Sequence, residues 1–154
     1  MYHPSPFEPA SSAPLTKIGA FARHMLEARS LDDLLWGIAQ QAGETLGFED
    51  CVVYLRDEDV LVQMAAFGLK STAEREIFQR ISIPVGQGIV GTVAGTGRRE
   101  RVGDISRDPR YIPDQFPGRS ELAVPLRFEG RVLGVLDTES SRADAYSAAD
   151  ADMF

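Results

Sequence analysis

The sequence predicts an α+β domain whose sheet is antiparallel. Three observations carry that expectation. Between residues 16 and 46, apolar residues recur at helical spacing. Beyond Gly47 they alternate with polar residues instead, the period of a half-buried strand. The longest alternating runs come as neighbours joined by short polar turns, "DED" and "EG", which is how hairpins are written.

Met1 to Pro14 carries Pro4, Pro6, Pro9 and Pro14 among small residues and reads as a disordered leader, so the domain proper is expected over 15–154. From Thr16, one apolar stripe of Ile18, Phe21, Ala22, Met25 and Leu26 marks a first helix. Ser30 followed by Asp33 resembles a capping box. The helix it opens carries Leu31, Leu34, Leu35, Ile38, Ala42 and Leu46 on its face, and Gly47 ends it. Trp36 lies among these positions, as packing against the sheet or as a dimer contact. "CVVYLR" and "VLVQMAAF" form a hairpin across "DED".

"STAE" at Ser71 to Glu74 reads as another capping box, opening a short helix through Ile77 and Phe78. Ile81, Ile83 and Val85 alternate as a third strand, "GIVGTVAG" is a short helix and "RVGD" a small strand. A loop from Ile105 to Gly118 holds Pro109, Pro113 and Pro117. "ELAVPLRF" and "RVLGVLDTE", joined by "EG", close the sheet. Ser147 and Asp150 cap a last helix that stops at Phe154 after about two turns. This predicts a domain cut within its C-terminal helix, which would continue into an output domain.

Composition narrows the function. With 154 residues, 44% apolar and 25% charged, the chain is one globular domain able to bury a core without disulfides or metal. A net charge of −7 argues against a nucleic-acid partner, and Arg98, Arg99 and Arg101, interrupted by Glu100, read as a solvated face. The one cysteine, Cys51, sits in the apolar run "CVVYL", where a thiol acts as a small hydrophobe. No apolar run approaches the ~18 residues of a membrane span, and no secretory signal is visible. A cytoplasmic protein without membrane contact is expected.

Gly86, Gly88 and Gly91 have G-x-G-x-x-G spacing, which raises the question of a dinucleotide site. The preceding strand answers it. A Rossmann strand is apolar on both faces, whereas Arg80, Ser82 and Pro84 alternate here with apolar residues. Pro84 also lacks the N–H that an interior strand needs. The glycines instead suit a tight exit from the strand, with Gly91 letting a helix lie close to the sheet. That corner is a packing device or, more sharply, a pocket wall with a mild positive potential from the helix start near Ile89.

Four blocks in succession, "SLDDLLWGIAQQAGETLG", "IPVGQGIVGTVAGTG", "RVGDISRDPRY" and "SELAVPLRFEGRVLGVLDTES", make the chain resemble the GAF domain family over about residues 16–154. The resemblance implies a six-stranded antiparallel sheet, terminal helices on one face, and a ligand pocket under short helices and a loop on the other. It also implies a regulatory module that binds a small molecule or a partner domain, often as a dimer. The cyclic-nucleotide signature of that family cannot be completed, because the chain contains no asparagine. Pigment attachment and haem ligation find no suitable residue in Cys51, His3 or His24.

The blocks are also similar to those of the free methionine-(R)-sulfoxide reductases. Their cysteines fall on Arg80, Val90 and Asp114, so the thiol chemistry is missing and no catalytic residue is assigned. Glu121, Asp137 and Glu139 match positions where those enzymes direct carboxylates at the substrate's amino group. Asp137 and Glu139, two apart on a strand, face the same side ~7 Å apart. Otherwise these carboxylates are solvated or pair with Arg127 or Arg110.

The expectation is a non-catalytic sensory domain of a bacterial signalling protein, with no cofactor and no metal. Its small-molecule pocket is expected at Phe67, Ile83, Ile89, Tyr111, Phe116, Glu121, Leu122, Asp137 and Glu139, and a cationic or amine-bearing ligand is favoured. A homodimer is expected through the Ile18, Phe21, Met25 and Leu26 stripe. A divergent reductase and a dimerisation or interaction domain without ligand are the alternatives.

Overall fold

In the computed structural model, which describes residues 13–114 and 116–154 (13–18 as helix backbone only), the alternating segments pair into one sheet. β1 (Asp50–Asp57) and β2 (Val60–Gly68) form one hairpin. β5 (Ser120–Phe128) and β6 (Arg131–Ser140) form the other, and β1 joins β6 at the centre. Short edges are added by β3 (Ser82–Pro84) beside β2 and β4 (Glu100–Val102) beside β5. The order is β3-β2-β1-β6-β5-β4, with every pairing antiparallel. This is the six-stranded α+β architecture that the sequence predicts, and it is not a doubly wound parallel sheet.

Strand alternation sends side chains to two cores. On one face, Leu35, Trp36 and Ala39 of α2 (Leu31–Leu46) pack with Val53, Ala65, Leu122 and Leu136. α1 (Ala13–Glu27) rests on α2, and α4 (Ala148–Met153) adds Ala151 to the same core. On the other face, α3 (Gly88–Thr96) contributes Ile89, Val90 and Val93 to a core with Val52, Tyr54, Leu61 and Val135.

The predicted caps form. Ser30 Oγ accepts from the Asp33 amide at 3.0 Å, and Gly47 closes α2. Ser147 and Asp150 make a reciprocal box at α4, and Tyr146 and Phe154 pack edge-on against Phe48.

Two expectations need correction, and two gain detail. α1 begins at Ala13, inside the stretch assigned to the leader, because proline is tolerated in a first helical turn. Residues 1–12 of that leader and the Ile18 side chain lie outside the described parts. The helix expected after "STAE" is absent: Ser71 Oγ donates to the Ala66 carbonyl rather than capping, and Ser71 bridges Ile77 across a turn. Thr72 Oγ1 accepts from the amides of Glu74 and Glu76, and Arg75 has φ +62°, which a helix cannot accommodate.

The helix stripe is partly satisfied within the chain. Phe21 and Met25 are half-buried on the α2 side, whereas Leu26 is 87% exposed. Arg98, Arg99 and Arg101 stay exposed, as a solvated face does, yet two of them make contacts. Arg99 pairs with Asp152 and donates to the Ala151 carbonyl, while Arg101 donates to the Tyr146 carbonyl, so both tie down the α4 region.

Candidate ligand site

The face opposite the long helices carries a buried cluster of carboxylates. Register creates it. Glu121 on β5 lies directly across from Glu139 on β6, and Asp137 lies two residues before Glu139 on the same face. Asp50, at the start of β1, joins them: the Glu139 amide donates to its Oδ1 at 2.7 Å. Like charges opposite one another destabilise a sheet unless something compensates.

Lys70 supplies part of that compensation. Its Nζ lies 3.1 Å from Asp50, 3.0 Å from Asp114 and 3.4 Å from Glu139, with the lysine side chain only 5% exposed. Burial works against the ammonium, but Asp50, Glu139, Asp137 and Asp114 outweigh it and raise the Lys70 pKa. The loop before β5 completes the shell. Tyr111 OH donates to Glu139 Oε2 at 3.2 Å, the Gly118 amide donates to the same atom at 2.8 Å, and the Phe116 amide donates to Asp114 at 2.7 Å.

Beneath this shell lies a cavity of about 20 Å³, walled by Tyr54, Ile81, Ile83, Ile89, Val90, Tyr111 and Ile112. Asp114, Glu121, Asp137 and Glu139 supply its polar lining. That volume suits one water molecule. Glu121 Oε2 and Asp137 Oδ1 are buried and have no hydrogen-bond partner. Burial, and then the neighbouring Glu139, pushes the Glu121 pKa up to about 8. Burial and Glu121 raise that of Asp137 well above the carboxylate range. The pair holds a proton near neutrality, which one carboxyl donates to the other, and no other side chain or amide reaches these two oxygens. Among the described residues, no group of three or more His, Cys, Asp or Glu side chains is arranged to hold a metal ion.

The glycines shape the roof of this cavity. Gly88 has φ +67°, and a side chain there would collide with Ile112. A Cβ on Gly91 would stand 2.5 Å from the Pro84 carbonyl oxygen, so α3 lies on the strand exit at a distance only glycine permits.

Of the residues expected to line the pocket, Ile83, Ile89, Tyr111, Glu121, Asp137 and Glu139 come together. Phe116 sits just outside, over a second recess of about 10 Å³ with Gln63, Lys70, Phe78 and Asp114. Phe67 and Leu122 belong to the opposite face. Leu122 neighbours Glu121 on one strand and must point the other way. Phe67 packs against α2, where a side chain on Gly43 would strike its ring.

Neither arginine weighed as a partner meets the cluster. Arg110 is forked onto Glu100 and held by Asp108, and Arg127 lies beside Gly97. Asp50, Tyr54, Lys70 and Asp114 were not assigned to the site. Parity offered a signal for Asp50 and Tyr54, which alternate with the buried Val52. Lys70 sits in a turn after β2 and carries no local signal.

Cys51 is fully buried on the helix side of β1, and burial raises its thiol pKa well above the ordinary value. Wider clefts exist elsewhere, such as one of about 590 Å³ along Arg56, Arg127 and Arg131, but they are open and lack convergent buried groups. No helix among the described residues is long and apolar enough to cross a membrane.

Comparison with known proteins gives this arrangement its relatives. A family model described as a GAF domain matches residues 28–154. Protein YtsP of Bacillus subtilis is 33% identical over 70 residues, which are 46% of this chain and 43% of that protein. The Nif-specific regulatory protein of Azotobacter vinelandii is 28% identical over 141 residues, 88% of this chain and 27% of that protein. The chain thus spans less than half the length of either curated relative. Among solved structures, the free methionine-R-sulfoxide reductase of Neisseria meningitidis, in complex with its substrate, superposes with a TM-score of 0.78 at 26% identity. That match covers 99% of this chain and 89% of the other.

Proposed function

The chain belongs to the GAF domain family, and from that premise we propose that it is a non-catalytic sensory domain that binds a small amine-bearing ligand at the carboxylate cluster. One observation carries the ligand class: five carboxyl groups, Asp50, Asp114, Glu121, Asp137 and Glu139, converge here around Lys70, the one buried cation among the described residues. Burying that many acidic groups is costly, and an ammonium brings three N–H donors and a compensating charge. The similarity to a regulatory protein supports the sensory reading, with binding relayed through the terminal helices of a homodimer to an output domain. An apolar groove of about 230 Å³ among Phe21, Leu46, Met153 and Phe154 supports that pairing surface.

The non-catalytic part rests on thiols. Arg80 is exposed, Val90 lines the cavity and Asp114 pairs with Lys70 at the positions where the resemblance implies cysteines. Cys51 shares strand parity with Val53 of the helix-side core, which puts it on the wrong face of the sheet. A divergent reductase is the second reading, favoured by the match to the Neisseria enzyme over nearly the whole chain.

A thermal-shift panel of small amines, amino acids, phosphates and dicarboxylates, with a thiol-coupled assay on free methionine-R-sulfoxide, tests both readings. Stabilisation by amines without turnover is expected. Stabilisation by anions alone overturns the ligand class, and turnover lost in Cys51→Ser establishes the enzyme.

A further inference from the structure

Among the described residues, Lys70 is the sole buried cation, and it stands between the surface and the cavity. Its backbone belongs to the turn after β2, next to Leu69, which is exposed. From there the side chain passes beneath Phe78 and Phe116, whose rings meet edge-on at 6.3 Å, to reach Asp50, Asp114 and Glu139. Asp114 borders both the outer recess and the inner cavity. Asp114, held by Lys70, therefore forms the partition between them.

The inner cavity holds about one water, which is too little for any ligand the size of an amino acid. Something must move for a ligand to enter. Strands β1, β5 and β6 are paired through the centre of the sheet and cannot separate cheaply. Lys70 hangs from a surface turn, and its three partners match the three donors of an ammonium.

We propose that Lys70 is a tethered occupant of the ammonium subsite, and that a ligand carrying a primary ammonium enters by exchanging with it. The inference rests on the amine-binding reading of the same site. Exchange keeps the buried charge constant: one ammonium leaves for solvent as another takes its partners. A neutral or anionic molecule that expelled Lys70 would leave Asp50, Asp114 and Glu139 unpaired in a buried place, which is strongly destabilising. Selectivity for amines thus follows from the occupant as well as from the acceptors. Glu121 and Asp137, deeper in the cavity, remain to meet other polar groups of the ligand. The turn that carries Lys70 becomes the part of the domain that reports occupancy.

The test uses n-propylammonium, which restores the atoms lost beyond Cβ in Lys70→Ala, with n-propanol and propionate as controls. K70A should melt lower than the parent and recover in n-propylammonium alone. Its affinity for the probe should exceed the parent's at least tenfold, because the parent must first expel Lys70. Equal affinity for parent and variant, or a folded K70A that the probe does not stabilise, overturns the exchange. Should K70A not fold, Lys70→Ser, which empties the same volume beyond Cβ, is read the same way.

A measurement on the parent covers the case in which neither variant folds. The chain has two lysines, Lys17 and Lys70, so Cε-labelled protein gives two signals. At saturating n-propylammonium the Lys70 signal should move to a solvent position; a signal that stays in place overturns the exchange while leaving amine binding intact. Stabilisation of both proteins by propionate instead removes the underlying ligand class.

Discussion

Protonation of the Glu121–Asp137 pair makes the stability of the domain depend on pH in an unusual direction. Burial raises the Glu121 pKa from the ordinary 4.5 to about 8, and that of Asp137 is raised as well. Between those values the native state binds about one more proton than the unfolded chain. Stability is therefore full below the ordinary carboxylate range and is lost as pH rises through about 8. The slope is about 1.4 kcal/mol per pH unit per proton. From pH 5.5 to 7.5 the loss is on the order of 2–3 kcal/mol, or roughly 5–10 °C in Tm for a domain of this size.

Among the described residues, the other shifted carboxyls and the thiol leave that window largely clear. Asp33, Glu49, Asp104 and Asp108 have lowered pKa values and act below it, and the raised thiol of Cys51 acts above it. Asp50 and Glu139 are raised by burial and add in the same sense. In Glu121→Gln the amide would donate to Asp137 without a titrating proton, so the slope should flatten. Scanning calorimetry of parent and variant at several pH values measures it. A parent Tm that is constant or rises between pH 5.5 and 7.5, or an E121Q that keeps the full slope, would refute the shared proton.

Other consequences are as direct. Gly91→Ala, which ordinarily strengthens a helix by up to ~1 kcal/mol, should here lower stability by about 1–3 kcal/mol, because its Cβ meets the Pro84 carbonyl; denaturant titration reads the sign. Cys51 should resist alkylation in the folded protein and react on unfolding, as seen by intact-mass analysis; rapid native labelling would contradict its burial. Leu122→Ala should cost roughly 2–5 kcal/mol from the helix-side core yet leave amine affinity unchanged in calorimetric titration. Ser147→Ala removes one side of the α4 box and should cost ~1 kcal/mol by the same denaturant assay.

Much of the fold was legible because its signals are local. The caps at Ser30 and Ser147 need only the next few residues, and the hairpin turns at Glu58–Asp59 and Glu129–Gly130 separate runs whose alternation is visible by eye. The rejected helix after Ser71 shows the limit of such signals. A serine followed by a glutamate is compatible with a cap, but the nearby Ala66 carbonyl took the hydroxyl. Parity could also have been applied more strictly: Glu121 and Leu122 are sequence neighbours and cannot share one face of a strand.

The sequence by itself determined the antiparallel α+β sheet, the role of the glycines as a close corner and the common face of Asp137 and Glu139. Each follows from period, turn chemistry or strand alternation, which act over a few residues. Only the tertiary structure decided that Lys70 pairs with the cluster, that Asp50 and Asp114 complete it, and that Phe67 lies on the far side. Lys70 and Glu139 are brought together across 69 positions of chain by the pairing of β2 with β1 and of β1 with β6. The burial that raises the carboxylate pKa values likewise exists only once both faces of the sheet are covered.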